Sequence, residues 1–189
     1  MPKFVLFILA TLVMLGAIAP SAMAEAPLRR ELDMMKGVWK GEEKVTPPGK
    51  RSFTATRIKR VGVFESGDTY FRIFVLDSHT YDGTTLKYGT FGVIALNART
   101  ECYELRAYGT GPIVTTPVTF NSTSVQWDIP MPGGVNNTVL QVTIDFSTPG
   151  VWHETDKYVV AGQAPVLVAE MTLKRVKDTN WPETAEIHP

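Results

Sequence analysis

The sequence is poor in the features that most often announce a function. Only one of its 189 residues is a cysteine, Cys102, which excludes a disulfide scaffold and leaves no cysteine for the lipid attachment of a bacterial lipoprotein. Charge of one sign is lacking too: 19 Lys and Arg balance 19 Asp and Glu. With no basic run longer than two residues, the chain lacks the electrostatic footprint of phosphate binding, so no nucleic-acid partner is expected. The three histidines, His79, His153 and His188, have no metal-ligand spacing, and no metal site is assigned. Gly-x-Ser-x-Gly, a strand followed by Gly-x-Gly-x-x-Gly, and a Gly-rich loop ending in Lys-Ser/Thr are all missing, which argues against hydrolase, dinucleotide and P-loop chemistry. No catalytic residue is assigned.

One long hydrophobic run is present, and it lies at the very start. Lys3 precedes an apolar stretch from Phe4 to Ala19, followed by Pro20 and the small-residue ending Ala22-Met23-Ala24. The run is shorter than the roughly 20 residues a membrane-spanning helix needs, and its ending is of the kind signal peptidase accepts. Residues 1–24 are therefore expected to be a secretory signal peptide. The mature chain would begin at Glu25, without a stable membrane anchor, in the periplasm or outside the cell. It would keep 25–176 as one domain and 177–189 as a polar tail.

Helical spacing is confined to one stretch, where Leu28, Leu32 and Met35 recur among charged residues and predict a short amphipathic helix. From Trp39 onward, β-branched and aromatic runs alternate with turn chemistry every eight to twelve residues or so. About nine or ten strands are predicted, near 38–45, 52–61, 68–77, 86–96, 101–108, 113–120, 123–129, 138–146, 151–160 and 166–176. Tyr81-Asp82-Gly83, Thr148-Pro149-Gly150 and Ala161-Gly162-Gln163 supply hairpin turns. Pro130 to Asn137, rich in Pro and Gly, reads as a rim loop. Leu140, Val142, Ile144 and Phe146 share one face of their strand; Leu167, Ala169, Met171 and Leu173 share another. One-sided antiparallel strands of this length predict an all-β, up-and-down barrel of about 8–10 strands, because closure removes exposed edges, with a sandwich as the structural alternative.

The pattern Leu32-x-x-Met35-x-Gly37-Val38-Trp39-Lys40-Gly41 carries a short helix into Gly-x-Trp at the start of the first strand, and Leu173-Lys174-Arg175 ends the last one. This layout resembles the calycin/lipocalin superfamily. The resemblance implies that Gly37 permits a tight turn, that Trp39 plugs the closed end, and that Arg175 packs over the indole as barrel closure. Adding Tyr81-Asp82-Gly83 with Lys87-Tyr88, Tyr158, and Glu170 to Arg175, the chain looks most like an uncharacterised group of bacterial secreted proteins with a lipocalin-like domain.

A barrel of this size can enclose a cavity, and the leading expectation is a small hydrophobic molecule bound in its lumen. The candidate lining residues are Phe71 and Ile73, Tyr103 and Leu105, Trp127 and Leu140, Trp152 and His153, and Leu167 and Met171. Small residues such as Ala107 and Ala169 favour a hollow interior. Three alternatives stand beside this reading. One is an isomerase or lyase using polar lumen groups such as Arg106, Tyr108 or Glu154, which requires that side of the strand to face inward. Another is an envelope adaptor with a filled barrel. The last is a haem-binding barrel of the nitrobindin type with His153 as axial ligand; otherwise no cofactor is expected. Cys102, between Glu101 and Tyr103, is predicted to be a buried small hydrophobe. The oligomeric state leaves no mark in the sequence.

Overall fold

The structure is a computed structural model that describes residues 32–46, 49, 52–65, 70–81, 84–109, 113–131 and 137–177. The proposed signal peptide, most of the predicted helix, the turn residues Asp82 and Gly83, and the tail beyond 177 lie outside the described residues. Ten strands follow one another: β1 (Gly37–Val45), β2 (Phe53–Glu65), β3 (Tyr70–Tyr81), β4 (Thr84–Asn97), β5 (Cys102–Tyr108), β6 (Val114–Phe120), β7 (Ser124–Pro130), β8 (Val139–Asp145), β9 (Val151–Val159) and β10 (Val166–Lys177). Each pairs antiparallel with its sequence neighbours, and β1 also pairs with β10, so the sheet closes into an up-and-down barrel. All ten predicted strands have their counterparts. The largest boundary differences are at the ends of β2 and β3, which both run four residues further than predicted.

Side chains alternate between core and surface as a closed sheet demands. Phe71 and Ile73 of β3, Ile94 of β4, Leu105 of β5, Val125 and Trp127 of β7, Val142 and Ile144 of β8, and Met171 and Leu173 of β10 are buried inward. A short N-terminal helix is not shown among the described residues, where the chain from Leu32 makes a single turn with a bond from the Met35 amide to the Leu32 carbonyl at 2.9 Å. Leu32 and Met35 are fully buried beneath the barrel.

Two glycines make the entrance to β1 possible. Gly37 has φ of 120°, a conformation that side-chain-bearing residues rarely adopt, and it leads the chain from that single turn into the strand. Gly41 pairs with Leu173, and a Cβ there would collide with the backbone carbonyl of Thr172. Gly41→Ala is therefore expected to destabilise the fold by about 1–3 kcal/mol, as overpacking against backbone does. Urea unfolding checks this, and a variant as stable as wild type would show that β1 and β10 separate without cost.

Two sequence expectations are corrected by the register. Leu167 does not face the lumen. β10 carries an extra residue relative to β9, so that Leu167 pairs with Lys157 but Ala169 pairs with Asp156. That bulge reverses the alternation, turning Leu167 outward, where it is 43% exposed, while Val168 and Ala169 are buried. Cys102 is a free, exposed thiol and not a core residue: it stands at the first position of β5, on the face opposite inward-facing Tyr103.

Candidate functional site

Consecutive hairpins alternate between the two ends of an up-and-down barrel, and the ends here differ. At one end the chain enters β1 and leaves β10, and an aromatic group seals it. The Trp39 indole N–H donates to the Met35 carbonyl at 3.0 Å. Its ring meets Trp152 at 5.7 Å and Phe146 at 5.8 Å between centroids, and Phe146 and Trp152 meet edge-on at 5.3 Å. Edge-to-face pairs of this kind add attraction beyond their buried area. A register shift after Val38 sets Arg175 directly across from Trp39. The guanidinium carbon lies 4.6 Å from the indole centroid, and Nη2 donates to the Met34 carbonyl at 3.0 Å. Arg175 thus ties the last strand to the turn before β1 while its charge rests on a ring face.

Above this plug the interior is hollow, with a cavity of about 190 Å³. Its origin lies in residue size. Ala107 of β5, paired with Gly92 of β4, brings little side-chain volume to one side of the wall, while the Leu105 side chain covers the position above Gly92. Facing them are Trp127 and Ile129 of β7 and Leu140 and Val142 of β8, with Trp152 at the level of the plug and Ile73, Val75 and Leu105 completing the apolar lining. Close packing, the rule in protein interiors, is interrupted here.

Polar atoms enter the cavity from Thr90 and from two carboxylates of β9, Glu154 and Asp156. Glu154 is only 7% exposed, and its Oε2 accepts the Trp152 indole N–H at 2.7 Å. The bond holds the Trp152 ring and the carboxylate together as a unit of floor and wall. Glu43 of β1 is buried on the same interior side, in register with Met171 and, one strand further, with Glu154.

Five of the residues expected to line the lumen do so: Ile73, Leu105, Trp127, Leu140 and Trp152. Phe71 and Met171 are buried in the core but not on the cavity wall. Tyr103 is half-buried below it and packs edge-on against Phe120 at 5.7 Å. His153 and Leu167 lie outside. His153 alternates with Trp152 and Glu154 and so points to the outer face, where its Nε2 is 3.1 Å from Glu170 Oε1; an imidazole there cannot reach a group held in the lumen. Arg106, Tyr108 and Glu104 alternate with Leu105 and likewise occupy the outer face, with Tyr108 stacked on Phe91 at 4.7 Å and Glu104 accepting from Asn97 at 2.8 Å. Arg106 and Tyr108 are thereby removed from any lumen chemistry, and Glu154 remains. Asp156 was not singled out as a wall residue. Its pairing with Val142, which is buried, places it inside. Among the described residues no group of three or more His, Cys, Asp or Glu gathers as a metal site.

A second polar cluster at the sealed end has a measurable consequence. The Ser147 hydroxyl donates to Asp145 Oδ2 at 2.7 Å and the Ser147 amide to Oδ1 at 2.9 Å. The side-chain bond first, then the amide, with a smaller contribution from His153, hold the Asp145 carboxyl below the ordinary carboxylate value. A group depressed on folding stabilises the native state above its unfolded value of about 3.9, and that contribution is lost as pH falls through the lower folded value. The melting-temperature advantage of wild type over Asp145→Asn should therefore be full above pH about 4 and fade in more acid solution. A difference independent of pH would show that the carboxylate's charge plays no part.

The comparisons with known proteins agree with this architecture. No protein-family model matches the sequence, and no curated protein is similar to it. Among solved structures, Rv2717c from M. tuberculosis superposes with a TM-score of 0.56 at 17% identity, over 79% of this chain and 98% of its own. The S-type phycobiliprotein lyase CPES from Guillardia theta superposes with a TM-score of 0.52 at 11% identity, over 82% and 94%. Identities this low carry the fold and nothing finer. Both likenesses concern the fold, which in this chain is a ten-stranded, closed, up-and-down β-barrel.

Proposed function

We propose that this protein is a secreted or periplasmic carrier that binds a small hydrophobic molecule in the barrel lumen, and that it belongs with the uncharacterised bacterial secreted lipocalin-like proteins its sequence resembles. The observation that carries this reading is the apolar cavity of about 190 Å³ above the Trp39 plug. A core selected only for stability would fill the space beside Ala107, since cavities cost stability in proportion to their volume. Cavities of about 150 Å³ lined by apolar side chains take up benzene-sized molecules, so the occupant is of one- or two-ring size. Such a lumen is smaller than the roughly 300–1,000 Å³ of pockets that enclose larger ligands.

Native mass spectrometry of the protein exported from a bacterial host tests both halves of the proposal. The expected result is a mature mass beginning at Glu25, together with a non-covalent excess of small-molecule size that disappears on unfolding. A chain retaining residues 1–24 would overturn the export reading. A ligand-free chain that also fails to take up any one- or two-ring apolar compound would overturn the carrier reading.

A further inference from the structure

We infer that the lumen takes an uncharged aromatic molecule with one polar group, of the phenol class, and that the Thr90 hydroxyl holds that group; this rests on the carrier reading above and names its ligand. The polar lining is confined to Thr90 of β4 and to Glu154 and Asp156 of β9. Both carboxylates already have partners within the protein, Glu154 through the Trp152 indole. Thr90 differs from them, since its hydroxyl makes no hydrogen bond to another described residue. It is half-buried and stands one inward position nearer the open end than Gly92. Beside it lies Gly109, just past the end of β5, where a Cβ would fall 2.8 Å from Thr90 Oγ1. The missing side chain leaves the hydroxyl open on that side, at the mouth of an otherwise apolar hollow. A hydroxyl both donates and accepts, so it meets a phenol hydroxyl in either sense. A ligand with its ring against Trp127 and Leu140 and its hydroxyl turned to the mouth satisfies Thr90 without bringing a charge into the lumen, where desolvation would make that charge costly.

The probes are p-cresol and p-xylene, which share one shape and differ in a hydroxyl against a methyl group. Both are titrated by calorimetry into the mature protein and into Thr90→Val and Thr90→Ser variants with intact melting transitions. Thr90→Val keeps the shape of the side chain and removes its hydroxyl. It should weaken p-cresol by about threefold to tenfold, the worth of one neutral hydrogen bond, and leave p-xylene within about twofold of wild type. Thr90→Ser keeps the hydroxyl and should keep the wild-type ratio of the two affinities. An unchanged ratio in Thr90→Val, a ratio lost equally in Thr90→Ser, or a wild-type protein that takes p-xylene but not p-cresol would overturn the Thr90 inference while leaving the carrier reading intact. Binding of neither probe would overturn both.

Discussion

Replacing Trp39 with alanine is expected to destabilise the barrel by about 3–5 kcal/mol, the cost of a large aromatic truncation in a packed core. Trp39 is 1% exposed, and three kinds of interaction converge on it: ring contacts with Phe146 and Trp152, the N–H bond to Met35, and the cation of Arg175 above its face. For a chain of this size the loss corresponds to a fall in melting temperature of roughly 10 °C. Arg175→Ala should cost much less, about 0.5–1 kcal/mol, because the residue is exposed and a cation on a ring face adds little in water. The order of the two effects carries the test. A Trp39→Ala variant that melts like wild type would refute the plug, and an Arg175→Ala effect equal to that of Trp39→Ala would make the arginine, not the indole, the fastening of the closed end.

Filling the hollow has the largest expected effect on binding. Ala107→Leu extends a side chain into the cavity that Ala107 lines, and three added carbons occupy a substantial part of its volume of about 190 Å³. Uptake of a one- or two-ring ligand should fall at least tenfold, while stability stays level or rises because apolar contacts replace void. Leu167→Phe is the matched control. Its side chain lies on the outer face beyond the β10 bulge, so added volume there should leave binding unchanged. Undiminished uptake in Ala107→Leu would locate the ligand elsewhere, and loss of uptake in Leu167→Phe would contradict the outward placement.

Much of the architecture was legible in the sequence, for reasons that are local. Strand periodicity in Val139 to Asp145 separates Leu140, Val142 and Ile144 from Gln141 and Thr143 without any knowledge of partners. Turn residues mark the hairpins because few side chains tolerate positive φ, as at Gly150 (72°) and Gly162 (78°). The motif from Leu32 to Gly41, together with Arg175, pointed to both halves of a closed barrel end that are 136 residues apart from Trp39 to Arg175.

The wall of the cavity was less legible, and β9 shows why. Its two faces read Trp152, Glu154, Asp156, Tyr158 and Val151, His153, Thr155, Lys157; both mix apolar and polar residues, so alternation separates them without saying which is inside. On such a pattern the paired carboxylates resemble a solvated outer row, as Glu104 and Arg106 of β5 do, yet they occupy the lumen. Leu167 failed for a related reason, since a bulge changes the phase of the alternation and leaves no mark in composition. Composition, period and turn chemistry therefore determined, in the sequence by itself, an antiparallel all-β chain of short one-sided strands, because those signals act between residues a few positions apart, while the aromatic plug followed from the resemblance carried by Gly37, Trp39 and Arg175. Only the tertiary structure decided that Gly92 meets Ala107, that Glu154 and Asp156 turn inward and that His153 turns out, because each depends on the register between strands, which closure of the whole sheet sets.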